Sequence, residues 1–189
     1  MIRKAKKNES LENLQQIATL IYNVFASKDT LLFLPQNKVS DILFFQEQYL
    51  LDNHYYSYEN YLVKEENNNI IAIALIVRDD AINQLNANTL KIWKDKFGIT
   101  NIKLEKLSQT GELYLEVIAV HQAYQGKGIG TDIINYIWNH HHDNDLTSLS
   151  LNVYFGNHRA KVLYEKLGFK QHSIITIYGK QYYHMVKPF

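Results

Sequence analysis

Two carboxylates and a phenol, Glu112, Tyr114 and Glu116, fall at alternate positions of an apolar run, GELYLEVIAV, closely followed by Gln125-Gly126-Lys127-Gly128-Ile129-Gly130-Thr131. Side chains two apart on a strand share a face, so these three are presented together while Leu113, Leu115 and Val117 take the other side. Acids and a phenol grouped this way suit proton transfer more than packing. The stretch after the strand has a different chemistry. Glycine lets a turn pass close to a ligand, and the first amides of the following helix have no intrahelical acceptor, so a strand, a glycine turn and a helix in that order form an anion site. The natural guest is a phosphate.

The spacing decides which phosphate. A P-loop requires four residues between its first glycine and a Gly-Lys-Ser/Thr, but Lys127 lies between two glycines and Thr131 follows no lysine. A dinucleotide fingerprint from Gly128 and Gly130 requires Gly or Ala at 133, where Ile133 stands. What remains is Gln125-x-x-Gly128-x-Gly130 behind Val120, which resembles the acetyl-CoA pyrophosphate loop of the GNAT N-acetyltransferase superfamily. Downstream, LSLNVYFGNHRAKVLYEKLGF (149–169) resembles the second motif of that family: a strand, Asn157 opening a short helix, Tyr164 one turn before its end, then Gly168-Phe169. The likeness is strong over about residues 111–187 and rests on the element pattern before them.

The resemblance implies a mixed α+β, GNAT-like fold: a mostly antiparallel sheet of six or seven strands flanked by helices. It implies acetyl-CoA as co-substrate, its pyrophosphate held by the amides of Gly126, Lys127, Gly128, Ile129, Gly130 and Thr131, with Gln125 at the entrance and Lys127 adding charge. The pantetheine arm would lie between two splayed central strands against main-chain groups of Ile118 and Val120. Asn157 would touch that arm or cap its helix, a role Asn also fills without a ligand. An alkyl amine of Lys type has a pKa near ~10.4, so at neutral pH a base must remove a proton before it attacks. Glu116, four residues before Val120, is the first choice and Glu112 the runner-up; Tyr164 occupies the family's general-acid position. The acceptor is left open: a small amine such as a polyamine suits the acids on the strand, and a peptide N-terminus, a lysine side chain or an aminoglycoside are the other candidates. The alternative class is a non-catalytic acyl-CoA-binding or sensor domain.

The elements that must position these residues follow from periodicity. Ile2 to Ala5 reads as a strand and Ser10 to Phe25 as a helix with Leu14, Ile17, Ala18, Ile21 and Phe25 on one face. A turn is expected at Leu31–Pro35, then a helix over Val39–Leu51 carrying Ile42, Leu43, Phe45, Gln46 and Tyr49. Phe33, Phe45, Tyr49, Tyr55 and Tyr56 suit a core, and equally a substrate pocket. Tyr58–Glu65 and Ile70–Arg78 read as a hairpin across Asn67-Asn68-Asn69. The stretch 79–110 reads as an insertion between the third and fourth strands, with a helix from about Asn88 to Phe97 stopped by Gly98 and a substrate-binding, dimer or packing role. A helix from Gly128 to His142 turns Ile129, Ile133, Ile134, Ile137 and Trp138 inward. The strand Leu149–Phe155 and the helix Arg159–Leu167 follow, the latter with Ala160, Leu163, Tyr164 and Leu167 on one face. A hairpin with Gly179-Lys180 as its turn closes the chain.

At 189 residues the chain is expected to be one domain, 1–189. Twenty basic against 19 acidic residues leave a net charge of +1, which gives no field for nucleic acid or an anionic membrane. There is no cysteine, so disulfides, thiolate metal sites and a cysteine nucleophile are excluded. His140, His141 and His142 are consecutive on a helix and diverge, so no metal is expected. No run of ~18 apolar residues occurs, and the chain is expected to be cytoplasmic. Exposed strand edges and the insertion leave room for a homodimer.

Overall fold

Ile70 to Val77 is apolar at every position, the pattern of a strand covered on both faces, and it lies near the middle of the sheet. The computed structural model describes residues 1–26 and 38–189; the turn expected at Leu31–Pro35, with Phe33, lies outside the described residues. Seven strands, β1 (Ile2–Lys4), β2 (Tyr61–Glu66), β3 (Asn69–Arg78), β4 (Glu112–Val120), β5 (Ser148–Tyr154), β6 (Lys170–Ile177) and β7 (Lys180–Pro188), form one sheet in the order β1-β2-β3-β4-β5-β7-β6. All neighbours are antiparallel except β4 and β5.

Helices α1 (Leu11–Ala26), α2 (Lys38–Leu50) and α3 (Asp79–Phe97) cover one face of the sheet, and α4 (Ile129–His140) and α5 (His158–Lys166) the other, giving two cores with the sheet between them. The β2–β3 turn is Asn67-Asn68 with φ of 50° and 63°, a left-handed pair that asparagine tolerates better than most residues. Among the described residues, no helix is long and apolar enough to cross a membrane.

Several local expectations are corrected. The helix expected from Asn88 begins at Asp79. Its buried stripe, Ile82, Asn86, Thr89 and Trp93, has helical spacing but two polar members, so hydrophobicity alone does not reveal it. Gly98, with φ of 66°, ends it as expected. Leu43 and Leu163 are exposed; α2 buries Phe44 beside the expected Phe45, while Ala160, Tyr164 and Leu167 face the core as expected. The last turn is Tyr178-Gly179, both at positive φ, one residue earlier than Gly179-Lys180. Lys180 is already paired with Ile177 across the hairpin.

Candidate functional site

β4 and β5 pair only at Glu112–Tyr114 with Ser148–Ser150, after which they diverge. On its other edge β4 stays bonded to β3 to its end, where the His121 amide donates to the Ile71 carbonyl at 2.8 Å. Bonded pairs alternate in an antiparallel ladder, so Ala119 and Val117 share that edge, and the main-chain groups of Ile118 and Val120 point the opposite way, into the gap. The Val120 carbonyl accepts from Gln125 Nε2 at 3.0 Å, so Gln125 ties the loop entrance to the strand end. A gap with strand-type donors and acceptors along one wall fits an extended, amide-bearing arm.

At the end of that gap the chain turns through Gly126 and Gly128, whose φ values of 77° and 79° lie in the left-handed region. Gly128 is the N-cap of α4, and the first intrahelical bond is donated by Asp132 to Gly128 at 3.0 Å. The amides of Ile129, Gly130 and Thr131 therefore have no acceptor in the helix, and the helix dipole favours negative charge before them. Lys127 Nζ sits over the Tyr124 ring, 5.0 Å from its centroid, which places a cation beside the loop. This donor set suits a pyrophosphate.

A cleft of about 280 Å³ between β4 and β5 is lined by Glu116, Ile118, Asn152, Asn157, Tyr164 and Tyr182, among others. Asn157 Oδ1 accepts from the Ala160 amide at 3.1 Å, so the helix-capping role is observed. Tyr164 is half-buried and packs edge-on against Phe169 at 5.8 Å. Burial pushes its hydroxyl up to about 12, so it keeps its proton at neutral pH.

Glu116 occupies a β-bulge. The register passes from Leu75 opposite Val117 to Ile76 opposite Leu115, which leaves Glu116 without a partner across the ladder. The extra residue flips the alternation beyond it: Val117 joins Tyr114 in the core under α1–α3, while Ile118 and Val120 join Leu113 and Leu115. The expectation that Val117 shares a face with Leu115 is thus wrong, because strict alternation fails at an inserted residue. Glu116 consequently lines both the cleft and a second cavity of about 1020 Å³ on the α3 side, whose walls include Tyr55, Tyr56, Trp93, Phe97, Tyr114 and the 99–107 segment. The insertion after β3 therefore forms part of a pocket.

The acids expected to share a face have different surroundings. Glu112 is buried, with Oε1 2.9 Å from His184 Nε2 and Oε2 accepting from the Gln109 amide at 2.8 Å. His184 Nδ1 stands 2.8 Å from Asn152 Oδ1, and Asn152 Nδ2 donates to the Leu107 carbonyl at 3.1 Å and to Tyr114 Oη at 2.9 Å. A carbonyl can only accept, so Leu107 fixes the orientation of the Asn152 amide; Oδ1 then faces His184, which must donate from Nδ1. Its Nε2 faces the Glu112 carboxyl. Tyr114 spends its acceptor on Asn152 and interacts with Glu116 through its hydroxyl, whose loss of a proton is opposed by burial and by the Glu116 charge. Tyr55 Oη approaches Glu116 Oε2 at 3.5 Å. The polar chain thus runs in one direction, from His184 through Asn152 and Tyr114 to the carboxylate of Glu116.

Sequence reasoning missed Asn152, Tyr182 and His184. The one local signal was Asn152, a polar residue inside the buried run LSLNV; His184 lies 72 residues from Glu112 and carries no signal of its own.

Burial pushes the Glu112 carboxyl up, but hydrogen bonds from His184 and the Gln109 amide outweigh it and hold the group below its ordinary 4.5. A depressed folded-state value contributes stability that is present above the unfolded value and is lost as pH falls through the folded one. Thermal melts from about pH 7 to about pH 3 are therefore expected to show an acid-side loss of stability that flattens in Glu112→Gln. An unchanged profile in that variant would contradict the pairing.

The family model described as Acetyltransferase (GNAT) family matches residues 27–169. No curated protein matches the sequence. Among solved structures, an acetyltransferase is 27% identical over 100% of this chain and 98% of its own, with a TM-score of 0.80. An N-acetyltransferase from Staphylococcus aureus Mu50 is 26% identical over 98% of this chain and 99% of its own, with a TM-score of 0.77. The NatC complex bound to Gag peptide and CoA includes a chain 15% identical over 100% of this chain and 98% of its own, with a TM-score of 0.55, a likeness of fold alone.

Proposed function

Because the chain belongs to the GNAT acetyltransferase family, we propose that it transfers acetyl from acetyl-CoA to a primary amine of a small molecule or peptide, by direct attack in a ternary complex. The observation that carries this reading is that Glu116 and Tyr164 line one cleft, between strands whose separation exposes the main chain of Ile118 and Val120. Acetyl-CoA, when bound, supplies an activated thioester carbon to which the amine nitrogen bonds as the bond to sulfur breaks.

The residues of this chain do the rest. Amides at Gly126 to Thr131 would hold the pyrophosphate, and Ile118 and Val120 would hold the arm. Glu116 takes a proton from the incoming ammonium; hydrogen bonds donated by tyrosines keep its carboxylate aimed at the junction of cleft and cavity. Tyr164 presents a hydroxyl to the departing sulfur, and the second proton lost by the nitrogen as the amide forms passes to that thiolate, leaving CoA as the free thiol. A thiol of Cys type has a pKa of about 8.5, so a phenol near 12 stabilises the thiolate chiefly as a hydrogen-bond donor, and full transfer of its own proton to sulfur is uphill.

Tyr164→Phe keeps the ring and its packing on Phe169. It is expected to lower kcat for CoA release by about 10²-fold while calorimetry gives an acetyl-CoA affinity close to that of the parent. Equal kcat in parent and variant would remove Tyr164 from the mechanism.

A further inference from the structure

The cavity beyond Glu116 carries information about the acceptor. At about 1020 Å³ it is far larger than a simple amine needs, and aromatic rings dominate its wall: Tyr55, Tyr56, Trp93, Phe97, Tyr178 and Tyr182. Tyr56 and Trp93 stack in parallel, with centroids 5.9 Å apart and planes 6° apart. Burial, and after it the charge on Glu116, raises the Tyr55 and Tyr56 hydroxyls well above their ordinary value, so both rings remain neutral.

Charge is scarce and balanced. Among the described residues that line the cavity, the carboxylates are Glu105 and Glu116 and the cations Lys103 and Lys180. Glu105 is paired with Lys103 Nζ at 3.6 Å on an exposed segment, and Glu112, the second acid that made a polyamine attractive, is turned to His184. Among the described residues of the wall, a polycation would therefore find one deep carboxylate, Glu116, and no further unpaired acid.

Resting on the acetyl-transfer reading above, we infer that the acceptor is a primary amine with a single positive charge, carried on a short linker from an aromatic body. The ammonium sits at Glu116, where cavity and cleft meet, and the ring stacks in the aromatic cavity. Polyamines and aminoglycosides are poor acceptors. Burying a phenyl-sized group is worth about 10–100-fold in kcat/KM over a methyl-bearing amine of similar basicity.

The test measures CoA release and amine binding in parallel on the full chain with acetyl-CoA. The probes are phenethylamine, tryptamine, n-propylamine, spermidine, an aminoglycoside, and a peptide with an N-terminal phenylalanine. The expected result is a phenethylamine or tryptamine kcat/KM about 10–100-fold above that of propylamine, with spermidine no better than propylamine. Tyr56→Leu should raise KM for the aromatic amine and leave its acetyl-CoA affinity unchanged. Preference for the peptide over the free amines would assign the same chemistry to a polypeptide source. Spermidine or the aminoglycoside outperforming the aromatic amines would overturn the inference while leaving acetyl transfer standing. If no amine releases CoA but calorimetry shows the aromatic amines binding and spermidine not, the cavity assignment holds and the acetyl-transfer reading fails. If the aromatic amines neither bind nor react, the inference is wrong.

Discussion

Glu116→Gln is expected to lower kcat for CoA release by about 10²- to 10⁴-fold near neutral pH, the contribution of a positioned base. The substitution keeps the size of the side chain and its place in the bulge, so the cleft and the register of β4 against β3 are preserved. What it removes is the acceptor for the amine proton. The deficit should depend on pH in a way no structural defect would imitate. As pH approaches the amine's own pKa, about 10.4 for an alkyl amine, the fraction already neutral grows and the base matters less. Parent and variant rates should therefore converge at high pH. A deficit that stays constant across the range would assign Glu116 a binding or structural role instead.

The second large effect concerns stability. Removing one partner of a buried, hydrogen-bonded pair leaves the other group unsatisfied, at about 1–3 kcal/mol and more where that group is charged, whereas removing both can be far less harmful. Glu112 and His184 are both buried and 2.9 Å apart. His184→Leu, which strands the buried carboxylate, is expected to destabilise the protein by about 3 kcal/mol or more in urea titrations, and Glu112→Leu by about 1–3 kcal/mol. The double variant should cost clearly less than the sum. It will still lose something, since the Gln109 amide and Asn152 Oδ1 each lose a partner, at about 1–3 kcal/mol for a buried unsatisfied group. Additivity within about 0.5 kcal/mol would mean that the two residues act independently, contrary to their geometry.

The parts of the site that were legible in the sequence are those specified locally. Gly126 and Gly128 mark themselves because positive φ favours glycine, Asn157 because a helix start favours a side-chain acceptor, and Gly98 because a left-handed residue ends a helix. The strand order near the site was also within reach, since β4 ends at the glycine turn and β5 at the Asn157 helix. What escaped depends on pairing across the sheet. An alternating pattern in β4 gives no hint that one residue is inserted relative to β3, yet that insertion lets Glu116 reach both cavities. Glu112 looked equivalent to Glu116 because each is a glutamate on the same strand; a histidine three strand elements later in the chain separates their roles. The start of α3 was hidden because its buried stripe uses Asn86 and Thr89, the latter holding the Tyr55 amide at 3.0 Å. Tyr178 was overlooked as a turn residue because bulky side chains rarely adopt positive φ.

The most direct test of the central claim is to incubate the protein with acetyl-CoA and an aromatic monoamine and to quantify, by mass spectrometry, both the free CoA and the acetylated amine. The account predicts that the two products appear in equal amounts, catalytically, and that Glu116→Gln suppresses both together. Acetyl-CoA that binds tightly but yields no acetylated amine with any acceptor would contradict it, and would identify the chain as a binding domain that kept the cleft without the chemistry.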